Sequence, residues 1–200
     1  MILDIHDEIS NLDLPILMKI NEFIIDSVGN KEIGNRIYEF IISSRMTLCT
    51  FFNTIYYFRL LCNNRNKYIS RLDIEAKDEY VSVAIRRKFD ITEKFFNDEY
   101  LMFVVCTIIT CKYIFDTIYN NKYWAKMAET PVELINEYER CTLEIADYDL
   151  TVDSVEYKKI INEFRRILGK VRMRCKVDKG SCVGFGCILG FLSTKFSCLD

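Results

Sequence analysis

Two hundred residues, half of them apolar and 28% charged, with only two prolines and seven glycines, describe a compact chain long enough for one substantial core and exclude disorder over most of its length. A formal charge of −2 gives no global attraction to nucleic acid or an anionic membrane, so such contact would need a local basic cluster. The single histidine, His6, has no Cys, Asp or Glu around it at ligand spacing, which argues against histidine-based catalysis and multi-histidine metal sites.

Leu14 to Val28 carries apolar residues at Ile16, Leu17, Ile20, Phe23, Ile24 and Val28, a helical stripe ended by the Gly29-Asn30 pair. A second helix over Lys31 to Ser44 turns Ile33, Ile37, Phe40 and Ile41 inward. After Ser43-Ser44-Arg45, a third from Thr47 to Cys62 gathers Leu48, Phe51, Phe52, Ile55 and Leu60 on a broad apolar face. Asn63 to Asn97 is charged and sparse in periodic apolar residues; it is expected to be a long connection, with at most one or two short helical pieces, inserted between core helices.

Asp98 to Thr117 is apolar almost all the way round, which for a helix means burial on every side and predicts the central helix. Its β-branched pairs Val104-Val105 and Ile108-Ile109 would suit a buried strand, but no partner strand with turn chemistry occurs elsewhere. Thr130-Pro131-Val132-Glu133 supplies an N-cap, a proline at the first helical position and a glutamate three residues on, predicting a helix from there through Ile145. Val152 to Cys175 reads as one more amphipathic helix, striped by Val155, Ile160, Phe164, Ile167, Leu168 and Val171. Beyond it Gly180, Gly184, Gly186 and Gly190 stand among Val183, Phe185, Ile188, Leu189 and Phe191, a pliable apolar tail with no phosphate-cradling pattern.

The nine cysteines are odd in number, no signal-peptide pattern precedes them, and Cys49, Cys62, Cys106, Cys111 and Cys141 fall within apolar periodic stretches, so buried reduced thiols are expected. There is no C-x-x-C, and Cys175, Cys182, Cys187 and Cys198 have irregular gaps that match no zinc pattern. The longest apolar run, Leu101 to Cys111, falls short of the roughly 20 residues a bilayer requires. An intracellular, soluble chain without metal or cofactor is expected.

Lys112 stands out because an ammonium in a helix otherwise apolar all round must reach either solvent along its stem or a partner. Glu139, in the helix that begins near Pro131 and carries Leu134, Tyr138, Leu143 and Ile145 toward the core, is the candidate partner. A lysine and a carboxylate from adjacent helices at a core's edge would form a charged spot on an apolar surface, suited to grasping another chain's backbone.

The stretch from residue 108 to 152 resembles the second half of a cyclin box, specifically that of the phosphate-signalling and related fungal cyclins. Lys112 and Asp116 match the family's A-S-K-F-x-x-D; Asn121, Trp124, Ala125 and Lys126 match N-x-x-Y-A-K; Leu134, Asn136 and Glu139 match E-L-N-x-L-E; Tyr148-Asp149-Leu150 matches the closing D-[FY]-x-L. Upstream, Tyr56-Tyr57-Phe58-Arg59-Leu60 resembles the Y-[YL]-x-R-L that ends the family's second helix, and Leu14 to Val28 resembles its extra N-terminal helix. Departures are Thr110-Cys111-Lys112 for A-S-K, Glu99-Tyr100-Leu101 for the V-x-H-R opening, Ala128-Glu129 for the two usual glycines, and the length of residues 63–97.

The resemblance implies an all-α, cyclin-like five-helix bundle, a single cyclin box, with an extra N-terminal helix and a C-terminal helix plus tail. The box with its N-terminal helix would span 12–152, with 63–97 inserted, and 153–200 would be a basic amphipathic helix and a Gly/Cys-rich tail. It further implies a nuclear or cytoplasmic regulatory subunit, not itself an enzyme, that binds and activates a cyclin-dependent serine/threonine kinase in cell-cycle or phosphate signalling. Lys112 and Glu139 would contact the kinase near the start of its C-helix, with Tyr113 and Phe115 as flanking apolar contacts. For Asn121, Trp124 and Lys126 a structural part is expected, with the asparagine bonding backbone and the tryptophan packing. Separately, Arg165, Arg166, Lys170, Arg172, Arg174 and Lys176 form a basic patch open to a phosphorylated substrate, an acidic partner or nucleic acid, though a solvated helix face also accounts for it. The alternatives are a cyclin-fold scaffold without a kinase and a transcription-initiation factor; the second usually needs tandem repeats and often a zinc ribbon, for which this chain has no room.

Overall fold

The computed structural model describes residues 6–75, 83–113 and 119–169 in full and the backbone of residues 2–4, 76, 114 and 172–174. Eight α-helices carry the described residues: α1 (Leu14–Val28), α2 (Lys31–Ser43), α3 (Leu48–Ala76), α4 (Val83–Asn97), α5 (Glu99–Ile114), α6 (Asn121–Met127), α7 (Val132–Ile145) and α8 (Ser154–Leu168). The architecture is all-α, trimmed by one short parallel ribbon in which β1 (Ile2–Asp4) pairs with β2 (Arg172–Arg174), Ile2 opposite Arg172. No helix among the described residues is long and apolar enough to cross a membrane.

The first corner follows from two adjacent residues with opposite backbone demands. Gly29 closes α1 in the left-handed region, φ 76°, donating its N–H to the Ile25 carbonyl, and Asn30 opens α2 by accepting from the N–H groups of Glu32 and Ile33. The two helices approach closely because α2 has no side chain at Gly34; a Cβ there would stand 2.7 Å from Ile25 Cγ1. α5 runs through the centre, with every residue from Leu101 to Thr110 buried, and packs against α2, α3, α4 and α7. On the far side of α3 the rings of Phe23, Phe51, Phe52 and Phe164 meet mostly edge to face, Phe52 and Phe164 with centroids 5.1 Å apart, and weld α1 and α8 to α3.

Residues 63–97 are not the connection the sequence suggested. α3 continues past Cys62 to Ala76, and α4 fills positions 83 to 97. The extension of α3 buries Tyr68 and Leu72 in the core, four residues apart on one face, with Ile69 packed partly against it, so a window dominated by Asn, Lys and Arg hides a narrow stripe. α4 buries Thr92, Phe95 and Phe96 and ties its outer side to α7 through Arg87–Glu137 at 2.8 Å and Lys88–Glu144 at 2.5 Å.

Three smaller expectations are also corrected. α7 ends at Ile145 as predicted, but its N-cap is Pro131; the Thr130 hydroxyl donates to the Ala128 carbonyl 3.0 Å away and caps nothing. The last amphipathic helix stops at Leu168, because Gly169 takes φ 70°, and residues 172–174 form a strand where helix was expected through Cys175. Among the thiols, Cys49, Cys106 and Cys141 are buried, whereas Cys111 is half-buried and Cys62 is exposed; none of the five is in a disulfide. Burial pushes the Cys111 thiol up to about 12, so it stays protonated at neutral pH. The glycine-rich tail and its four cysteines lie outside the described residues.

Candidate functional site

The structure brings together the two charges singled out in the sequence. Lys112 lies in the last turn of α5, where its charge suits the helix dipole, and donates to Glu139 Oε1 of α7 at 2.5 Å. The lysine side chain is 30% exposed and the glutamate 14%, so the pair sits at the rim of the core with one face open to solvent. Asn121, the first residue of α6, donates through Nδ2 to the other carboxylate oxygen, Oε2, at 2.6 Å and to Asn136 Oδ1 at 2.7 Å. One carboxylate thereby receives a donor from each of two other helices, which fixes the spacing of α5, α6 and α7 at this edge.

Asn121 was expected to bond backbone, and the structure corrects that. Its neighbour Asn120 is the capping residue, accepting from the Tyr123 N–H at 3.0 Å, which frees Asn121 to face α7. A helix cap needs only one of two adjacent asparagines, so the pair Asn120-Asn121 carried the signal that the other has a different task. Trp124 packs as expected, buried against Phe40 with centroids 6.2 Å apart, but its indole N–H is buried without an acceptor.

A second junction lies along the N-terminal half of α3. Tyr57 donates its hydroxyl to the Leu150 carbonyl at 2.6 Å, and the Tyr56 hydroxyl accepts from the Asp153 N–H at 3.0 Å. Arg59 pairs with Glu163 of α8 at 2.7 Å. Two segments quoted for the resemblance, residues 56–60 and 148–150, are therefore held against each other, with Asp147 and Tyr148 in the left-handed region at φ 54° and 58° to make the bend. Burial raises the Tyr57 phenol well above its ordinary value, keeping it a donor.

Of the flanking contacts expected beside the ion pair, Tyr113 is 48% exposed next to Lys112, and Phe115 lies outside the described residues. The basic patch is brought together only in part. Arg165 is half-buried and Arg166 exposed in the last turn of α8; Arg172 and Arg174 belong to β2, described as backbone; Lys170 and Lys176 lie outside the described residues. Among the described residues no group of three or more His, Cys, Asp or Glu side chains could hold a metal ion. Comparison with protein-family models, curated proteins and solved structures found no match to this chain.

Proposed function

We propose that this chain is a cyclin-like regulatory subunit that binds a cyclin-dependent serine/threonine kinase and holds it in its active arrangement. The observation that carries the reading is the single polar junction formed by Lys112, Asn121 and Glu139, residues from three separate segments that match cyclin-box motifs in order. Matching segments scattered over the surface would have had no common purpose. Converging on one half-open spot, they supply directed donors and an acceptor at the rim of the core, as recognition of another chain's backbone requires.

The subunit would do no chemistry of its own. Phosphoryl transfer in a kinase needs an ion pair between its strand lysine and its C-helix glutamate together with a correctly placed activation segment. A protein that binds this arrangement better than the inactive one shifts the population toward it by the difference in binding free energy. Truncating a desolvated charged contact at such an interface costs about 2–5 kcal/mol of binding.

The test is to isolate the protein from the cells that make it and identify what co-purifies, alongside a variant carrying both Lys112→Ala and Glu139→Ala. A kinase with a cyclin-type C-helix is expected with the natural chain and absent from the double variant, whose helical content stays nearly unchanged and whose melting falls less than that of Glu139→Ala alone. Polymerase subunits or DNA in place of a kinase, or kinase retained by the double variant, would overturn the reading.

A further inference from the structure

We propose that the outer face of α8, with the basic strand β2 that follows it, is a docking surface for the sugar-phosphate backbone of a nucleic-acid duplex, read without regard to sequence. The inference goes beyond the kinase-binding reading and does not depend on it. α8 packs on α1 and α3, whereas the Lys112–Glu139 junction belongs to α5, α6 and α7.

Charge in this chain is segregated. Residues 158–176 hold eight lysines and arginines against one acid, Glu163, a local net charge of +7 that leaves −9 on the rest of a chain totalling −2. The fold sharpens that contrast, because Glu163 is neutralised by a cation from outside the stretch, Arg59 of α3, at 2.7 Å. Lys159, Asn162, Arg165 and Arg166 line an open groove of about 810 Å³ together with Glu163 and Gly169. Lys159 is bonded to Glu156 at 2.6 Å, but the two side chains are 59% and 57% exposed, and so open a pair yields its cation readily to a phosphate. Asp26 of α1 shares a smaller hollow with Arg166 and marks the edge of the cationic face. Past Gly169, β2 pairs in parallel with β1, so Arg172 and Arg174, at alternate positions of that strand, belong to a folded ribbon.

Three features choose the occupant. Lys159 and Arg166 stand seven residues apart on one face of α8, about 10 Å along its axis, which spreads positive charge along the helix where recognition of a single phosphate would gather it. A polyanion whose charge repeats along its length matches that spread. The apolar face of α8, with Tyr157, Ile160, Ile161, Phe164 and Leu168 buried, is spent on the core, so the helix keeps no apolar side to sink into a membrane interface. Because its two rings, Tyr157 and Phe164, are both in that face, α8 offers no platform on which the bases of a single strand could stack. The cations and the Asn162 amide suit backbone contacts, which position a duplex and carry no sequence information.

The full chain is titrated into a fluorescein-labelled DNA duplex of about 20 base pairs and followed by anisotropy between about 50 and about 200 mM salt. Saturable binding with half-saturation in the micromolar range is expected at the low end, and its logarithm should fall with the logarithm of salt at a slope of about −3 to −5. Lys159→Gln combined with Arg166→Gln removes two exposed charges and leaves the core intact. It should weaken binding at least ~10-fold and reduce the slope by about 2. Arg87→Gln, an exposed cation on α4, should change neither, and a duplex of unrelated sequence should bind within about 3-fold of the first. No binding at low salt, equal binding by the Lys159/Arg166 variant, or an equal loss with Arg87→Gln would overturn the proposal. Tighter capture of a singly phosphorylated peptide, or of phosphatidylserine vesicles, would overturn it in favour of a phosphoprotein or a membrane. The Lys159/Arg166 variant should still co-purify with the kinase, which keeps the fate of this surface separate from that of the kinase reading.

Discussion

α5 and α4 lie against the same core and are built on opposite plans. α5 is buried from Leu101 through Thr110 and opens to solvent only at its ends, whereas α4 buries Thr92, Phe95 and Phe96, packs Phe89 and Ile91 partly against the core, and gives its outer face to solvent and ion pairs. A helix enclosed on all sides has nowhere to place a charge except its end, so a lysine there is placed by the fold and not by solvation alone. A helix with a free face can carry many charges at little consequence. The same residue type therefore means different things on the two elements, and the candidate site belongs to the enclosed one.

The largest effect expected from this contrast is at Phe103. It is fully buried in α5 against Phe58, with centroids 6.1 Å apart, and Phe103→Ala should cost about 3–5 kcal/mol in a denaturant titration by removing both transfer free energy and packing. A loss below about 1 kcal/mol would mean that the interior closes around the gap and that α5 is not the organising helix.

The contrast also explains how much could be read in advance. α1 was legible to the residue because an apolar stripe ended at a glycine whose left-handed conformation the turn requires, and α5 was legible because nothing polar interrupted it. The extension of α3 and the whole of α4 were not, since each meets the core along a narrow stripe within a segment whose charge resembles that of a loop. α8 was overextended because its amphipathic pattern persists past Gly169, and hydrophobic spacing alone does not register a glycine's change of direction. At the candidate site the ion pair was legible from two residues in conflict with their surroundings. Asn121 was not, because an asparagine near a helix start fits a cap equally well and only the coordinates assign the cap to Asn120.

A smaller effect, and a sharper one for the site, comes from comparing single and double truncations at the ion pair. Glu139→Ala alone leaves the Lys112 ammonium and one Asn121 N–H without their acceptor at a partly buried spot, and should destabilise by about 1–3 kcal/mol. Adding Lys112→Ala removes the stranded cation and should restore part of that loss, as thermal melts of the three variants would show. If the double variant is no more stable than the single, the lysine was already satisfied by solvent and the two charges are neighbours without coupling.

Smaller again is an acid-dependent contribution at α8, an amphipathic helix on the plan of α4. The Asp153 carboxylate accepts from the N–H groups of Glu156 and Val155, which lowers its pKa below the ordinary 3.8. Because the folded value is the depressed one, the cap contributes fully above the ordinary range and is lost as pH falls through the folded value. Asp153→Asn keeps an accepting oxygen without the titration, so the melting advantage of the natural chain over this variant should shrink between about pH 6 and about pH 3. An advantage that grows on acidification would assign the acid sensitivity to other carboxylates.

The smallest expected effect tests the other half of the comparison. Arg87 reaches Glu137 across the α4–α7 groove at 2.8 Å, but its side chain is 72% exposed, so side-chain entropy and solvent screening offset most of the attraction. Arg87→Ala should change stability by about 0–1 kcal/mol, and even that should fade in concentrated salt. Were the loss larger and indifferent to salt, α4 would be held by its charges and not by Phe95 and Phe96. It would then act as a brace that sets the position of α7, and with it the reach of Glu139 toward Lys112.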